Sequence, residues 1–169
     1  MRYNRYLIYI FITVFFWGCF TISVNFSGAQ IHPDVKTFSI QSFINRADFV
    51  QPGLTQELEE ALRDKVESQT SLKMVNGIGD INFEGEIYTD NITSKSLTAQ
   101  EVAAQNRYTI GVRIKYSNIY DPDNEFEKNF ERFEDFPGSE SPSGARSEYT
   151  EEIIKNLIDD IFKEAFVNW

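Results

Sequence analysis

The chain has 169 residues and a formal net charge of −10. So acidic a body repels nucleic-acid phosphates, which excludes DNA and RNA as partners. Its single Cys rules out an intrachain disulfide, and 15 Phe with 8 Tyr imply a core built from rings.

The N-terminus has the order of a secretory signal. Arg2 and Arg5 form a positive n-region, Tyr6 through Phe16 an apolar h-region, and Gly18 puts a small residue ahead of the cleavage point. The lone Cys19 follows at once and looks like the acylated Cys of a lipoprotein signal. Residues 1–18 therefore read as a signal peptide and residues 19–34 as a lipidated leader. Two or more acyl chains hold such a leader stably, at about 0.8 kcal/mol per buried CH₂. The rival reading is an uncleaved anchor, since no charge occurs between Tyr6 and Ile31 and a span needs about 20 apolar residues. Thr21, Ser23, Asn25 and Ser27 make the second half of that stretch polar, unlike a hydrocarbon core. On either reading the body lies outside the cytoplasm. Loss of Arg2 and Arg5 with the signal takes the charge from −10 to −12.

Residues 35–169 suit one α+β domain. Phe38 and Ile40 alternate with Thr37, Ser39 and Gln41, the period of a half-buried strand. After the turn residues Gln51-Pro52-Gly53, the stripe Leu54, Leu58, Ala61, Leu62, Val66 predicts an amphipathic helix with Thr55 as a cap near its start. Leu72 to Val75 reads as a short strand entering a hairpin at Asn76-Gly77. The return strand runs Asp80 to Tyr88, with Gly85 on its apolar side signalling a bulge or a close approach by a helix. Thr89 to Asn106 is polar and reads as a crossing segment, with a brief helical turn over Leu97 to Ala104. Tyr108, Ile110, Val112, Ile114 and Tyr116 alternate without error and predict the most secure strand. Asp121-Pro122-Asp123-Asn124 turns the chain into Glu125 to Phe136. That segment is read as a strand with a bulge between Phe130 and Phe133. Pro137 to Gly144 is a loop. Ile153, Ile154, Leu157, Ile158, Ile161, Phe162, Ala165 and Phe166 then predict a closing helix with Glu151 and Glu152 in its first turn. The sum is a two-layer sandwich: a mostly antiparallel sheet of four to five strands, with two helices on one face.

Catalytic chemistry finds little support. His32 is the only histidine, and it lacks a nucleophilic partner nearby. Cys19 is committed to lipid or membrane, which removes zinc and thiol chemistry. Asp121, Asp123 and Glu125 open like a calcium loop but lack its turn Gly and closing Glu, so they read as a plain turn. The expectation is no enzyme, no metal and no cofactor. More informative are Arg107, Arg113 and Lys115, three positive groups on the non-core side of one strand. They either pair across strands with Glu84 and Glu86 or form a binding stripe for phosphorylated sugar or acidic loops of a partner.

In their order and spacing, several segments together resemble the LptE family of lipopolysaccharide-assembly lipoproteins. They are the Gly18-Cys19 boundary, Phe26-Ser27-Gly28-Ala29, Pro33-Asp34-Val35-Lys36-Thr37-Phe38-Ser39, Asn45-Arg46-Ala47 and the helix from Leu54 to Thr70. The later ones are Phe83-Glu84-Gly85-Glu86-Ile87, Asn106-Arg107-Tyr108-Thr109-Ile110, Asp121-Pro122, Phe126 through Phe133 and Ala165-Phe166-Val167-Asn168-Trp169. The resemblance implies a protein tethered to the periplasmic leaflet of the outer membrane. Such a protein plugs the lipopolysaccharide-export barrel, LptD, assists its assembly and contacts lipopolysaccharide. It also implies basic residues on the sheet for that contact, which Arg107, Arg113 and Lys115 match by location only. Phe16 and Trp17 depart from the aliphatic and small residues usual in the signal. A free-standing periplasmic lipoprotein that binds a glycan or other ligand is the alternative.

Overall fold

The computed structural model describes residues 31–95 and 104–167. The signal peptide, Cys19, most of the leader, most of the turn expected over Leu97 to Ala104 and the closing Asn168-Trp169 lie outside the described residues. The elements in chain order are β1 (Thr37–Ile40), β2 (Ile44–Asn45), α1 (Leu54–Gln69), β3 (Lys73–Met74), β4 (Ile81–Lys95), β5 (Gln105–Asn118), a 3-10 turn (Pro122–Asn124), β6 (Phe126–Pro137) and α2 (Pro142–Phe166). They form the expected α+β sandwich, with both helices packed against one face of a six-stranded sheet.

The sheet is mixed and larger than expected. Its order is β3-β1-β4-β5-β6, with β2 also on β4. β4–β5 and β5–β6 are antiparallel, whereas β1 is parallel to both β3 and β4, and β2 is parallel to β4. β3 and β4 therefore lie on opposite sides of β1 and make no hairpin. Asn76-Gly77 instead belongs to a link that crosses β1, where Gln41 Nε2 donates to the Gly77 carbonyl at 3.3 Å. The link presses so close that a Cβ on Gly79 would lie 2.7 Å from the Phe38 carbonyl carbon. Because β3 and β4 both run parallel to β1, and so in the same direction, the chain makes no net reversal here of the kind a hairpin at Asn76-Gly77 requires.

Between β1 and β2 the chain leaves the ladder and drops Phe43 into the core, 6% exposed. Its ring fills the space that a side chain on Gly85 would take, 2.4 Å from where the Cβ would stand. The close approach signalled by Gly85 thus comes from an aromatic ring and not from a helix. Glu59 of α1 accepts the Phe43 N–H at 2.6 Å, satisfying a donor that the broken strand would otherwise strand.

β4 continues to Lys95, so the first part of the polar stretch, Thr89 to Lys95, is strand and not a crossing segment. Its register shifts between Ile87 and Thr89, and Tyr88 is the extra residue of a bulge. Ahead of it Ile81, Phe83 and Ile87 face the core. Beyond it Asp90 takes that side, 2% exposed. β6 pairs with β5 without a register shift from Tyr116↔Phe126 to Gln105↔Pro137. No bulge interrupts it, so Phe130 is buried and Phe133 lies on the opposite face, 44% exposed.

Both helix starts differ from the sequence reading. α1 begins after Gly53, at φ 86°, and no side chain caps it; Thr55 lies within its first turn. α2 begins at Pro142, where Ser141 Oγ accepts the Gly144 N–H at 3.1 Å. Pro suits that first turn because its missing N–H would be unsatisfied there anyway. Glu151 and Glu152 consequently lie well inside the helix. The stripe from Ile153 to Phe166 seals the core, where Phe166 meets Phe83 and Tyr116 at ring-centroid distances of 6.2 and 6.3 Å.

Candidate functional site

With both helices on one face, the other face of β4, β5 and β6 is open, and β5 runs down its centre. Alternation sends Arg107, Arg113 and Lys115 to this face because Tyr108, Val112, Ile114 and Tyr116 occupy the core side. Each cation meets a carboxylate on a neighbouring strand. Lys115 Nζ lies 2.9 Å from Glu84, its register partner on β4. Arg113 reaches Glu86 at 3.3 Å and Asn129 at 3.1 Å, and Glu127 lies 3.9 Å away. Glu86 also accepts from Arg46 at 3.0 Å. The cross-strand pairing with Glu84 and Glu86 is therefore present in the ground state.

Arg107 stands apart from the other two. It is six residues from Arg113, about 20 Å along a strand rising about 3.3 Å per residue. The intervening outward positions, Thr109 and Gly111, carry no charge. Arg107 donates to both carboxylate oxygens of Asp135, at 2.7 and 3.0 Å. Its guanidinium carbon lies 3.5 Å from the centroid of Phe133, and Lys95 joins Asp135 at 3.2 Å. The hydrogen bond from Arg107 holds the Asp135 carboxyl below its usual range, and the same bond raises Arg107. Hydrogen bonding to Glu84 likewise raises Lys115. The three expected residues thus form two clusters, not one stripe.

A shallow groove of about 360 Å³ opens where the chain leaves the sheet between β1 and β2. Gln41, Ile44, Glu84, Glu86, Arg113 and Lys115 are among the residues that line it. Ile44 is 54% exposed at its edge. Arg46, Ile44, Phe133 and Lys95 were not singled out from the sequence. Phe133 sat in an apparent core stripe, Arg46 and Ile44 lay in loop-like segments, and Lys95 lay in the stretch read as a crossing. Among the described residues no group of three or more His, Cys, Asp or Glu side chains could hold a metal ion. No described helix is long and apolar enough to cross a membrane.

The family model described as lipopolysaccharide-assembly, LptE, matches residues 35–165. No curated protein sequence matches the chain. Among solved structures, the hypothetical protein CT253 from Chlamydia trachomatis superimposes with a TM-score of 0.53 at 12% identity, covering 79% of this chain and 98% of that one. A minor lipoprotein from Acinetobacter baumannii gives 0.51 at 11% identity, covering 77% and 91%. At such identities these two show a shared fold.

Proposed function

This chain belongs to the LptE lipopolysaccharide-assembly family, and from that premise we propose that it is an outer-membrane lipoprotein, anchored through Cys19, that plugs the lipopolysaccharide-export barrel LptD and assists its assembly. The observation that carries the reading is the family match together with the open face of β4–β5–β6. That face is polar, and most of its charges have a neighbour of opposite sign. The lumen of an outer-membrane barrel is polar too, in contrast to the apolar band it turns to lipid, so a surface of paired charges suits the lumen wall.

Arg107, Arg113 and Lys115 contribute by exchanging partners. A phosphate or carboxylate brought by the barrel or by lipopolysaccharide replaces Glu84, Glu86 or Asp135, and such exposed pairs are held by less than about 1 kcal/mol each. Tagged full-length protein purified from its own membranes is expected to bring down a large β-barrel. Its depletion is expected to raise outer-membrane permeability to large antibiotics. Recovery of the lipoprotein without a barrel, with the permeability barrier intact, counts against the reading. It would favour the free-standing ligand-binding lipoprotein, for which the groove beside Arg113 and Lys115 is the binding place.

A further inference from the structure

The sheet ends at β6, whose ladder partners are all in β5. Among the described residues nothing pairs with its other edge. That edge is 12 residues long, enough to template another strand. Natural edges are blunted by charged side chains, Pro, bulges or a covering element. β6 has no bulge and its one Pro stands at its last position. Its two basic residues are tied to α2 and leave acidic groups to dominate its open side. Lys128 reaches Glu164 at 2.9 Å and Arg132 Nε reaches Asp160 at 2.6 Å. On the open face β6 presents Glu127, Asn129, Glu131, Phe133 and Asp135. Asp135 is held by Arg107 and Lys95. Among the described residues Glu131 meets only the neutral Tyr88 hydroxyl, at 3.2 Å, and Glu127 lies at the far limit of ion pairing with Arg113.

We propose that the free edge of β6 is a docking edge for an extended partner segment with Lys or Arg at alternate positions, placed to face Glu127 and Glu131. A second copy of the chain does not fit this edge. Antiparallel β6–β6 pairing would set one acidic row against another, and like charges directly opposite destabilise a sheet. The wall of a closed barrel does not fit either, because it has no free strand edge to offer. What remains is a loop or terminus that adds to the sheet, main-chain hydrogen bonds giving affinity and alternate side chains giving selectivity. The inference goes beyond the barrel reading and stands for any partner that carries such a segment.

The test uses full-length lipoprotein in detergent and a short synthetic peptide alternating Lys with Val or Thr, with Glu replacing Lys in the control. The Lys peptide is expected to bind and to slow amide hydrogen exchange within residues 126–137, and the Glu peptide to do neither. The Glu127→Lys, Glu131→Lys variant is expected to bind the Lys peptide about tenfold more weakly, as two lost and reversed ion pairs allow. The same reversal on α1, Glu57→Lys with Glu60→Lys, is expected to leave binding unchanged. If the first variant fails to keep the exchange pattern of β4 and β5, Glu127→Gln with Glu131→Gln replaces it. Unchanged exchange along β6, or equal weakening by both pairs of reversals, overturns the proposal in favour of general attraction to an acidic protein.

Discussion

Arg146 and Asp90 form a buried charge pair. Asp90 has a fully buried side chain, Arg146 one that is 16% exposed, and the guanidinium bonds the Asp90 carboxylate directly. Phe49 lies 4.0 Å and Tyr108 4.9 Å from the guanidinium carbon. Removing one partner strands the other charge away from water, which costs about 3–5 kcal/mol. Arg146→Ala is therefore expected to lose that much in urea unfolding, and Asp90→Asn in the same chain to recover part of it. A loss within experimental error would mean that water reaches Asp90. Neither residue stood out in the sequence. Strict alternation from Ile87 would face Ile87, Thr89 and Asn91 inward, and only the extra residue Tyr88 turns Asp90 to the core.

Asp80 makes a different use of one carboxylate. Its Oδ2 accepts the backbone N–H groups of Lys36 and Thr37, both at 2.9 Å, and the Thr37 hydroxyl at 2.8 Å. The Lys36 N–H is the main reason that its carboxyl is held below the usual carboxylate range. A lowered carboxylate stabilises the fold at pH values above its unfolded pKa and loses that contribution as pH falls through the folded value. Asp80→Asn is thus expected to destabilise at pH 7, with the gap to the parent closing as pH falls below the ordinary carboxylate range. Denaturant titrations of both proteins at pH 7 and under acid would reveal this, and a gap constant with pH would sink it.

At the scale of elements, legibility followed how far a local pattern decided the outcome. The unbroken alternation of β5 and the apolar stripes of both helices survive because each buries a face against the same core. Readings failed where a distant contact intervened. Glu125 to Phe136 is the strand expected, but the bulge expected between Phe130 and Phe133 is absent, because regular pairing with β5 runs through both residues and leaves Phe133 outside. Ser141-Pro142 is a recognisable helix start, yet Gly144 and the neighbouring Ser and Pro made the segment read as a loop. The same dependence on long-range contact governs the gap between β1 and β2. Gly85→Ala would drive a methyl into the Phe43 ring, and overpacking of this kind costs about 1–3 kcal/mol. Phe43→Leu in the Gly85→Ala background is expected to return part of that stability, although Phe43→Leu alone destabilises. A double-mutant cycle of thermal melts that is simply additive would show that the two positions do not compete for the same space.

Across the whole molecule the charge is divided unequally between the two layers. α1 carries five acidic and two basic residues, and α2 six acidic and three basic, so the helix layer holds much of the negative charge. On the open face, Arg46, Lys95, Arg107, Arg113 and Lys115 stand against Glu84, Glu86, Glu127, Glu131 and Asp135. The sheet side is therefore the side on which an anionic surface meets least repulsion, and the helix side the one it avoids. This asymmetry could not be read from total charge, since it depends on which faces the helices cover. The Arg113→Glu, Lys115→Glu variant is expected to turn the sheet face acidic without removing core contacts. It should lower recovery of the barrel, and binding of lipopolysaccharide, about tenfold or more through like-charge juxtaposition. Matched reversals on the helix layer, Arg63→Glu with Lys155→Glu, alter the net charge by the same amount and are expected to leave both nearly intact. Equal losses from the two pairs would trace the effect to total charge, and loss only from the helix pair would put the partner on the other side of the sandwich.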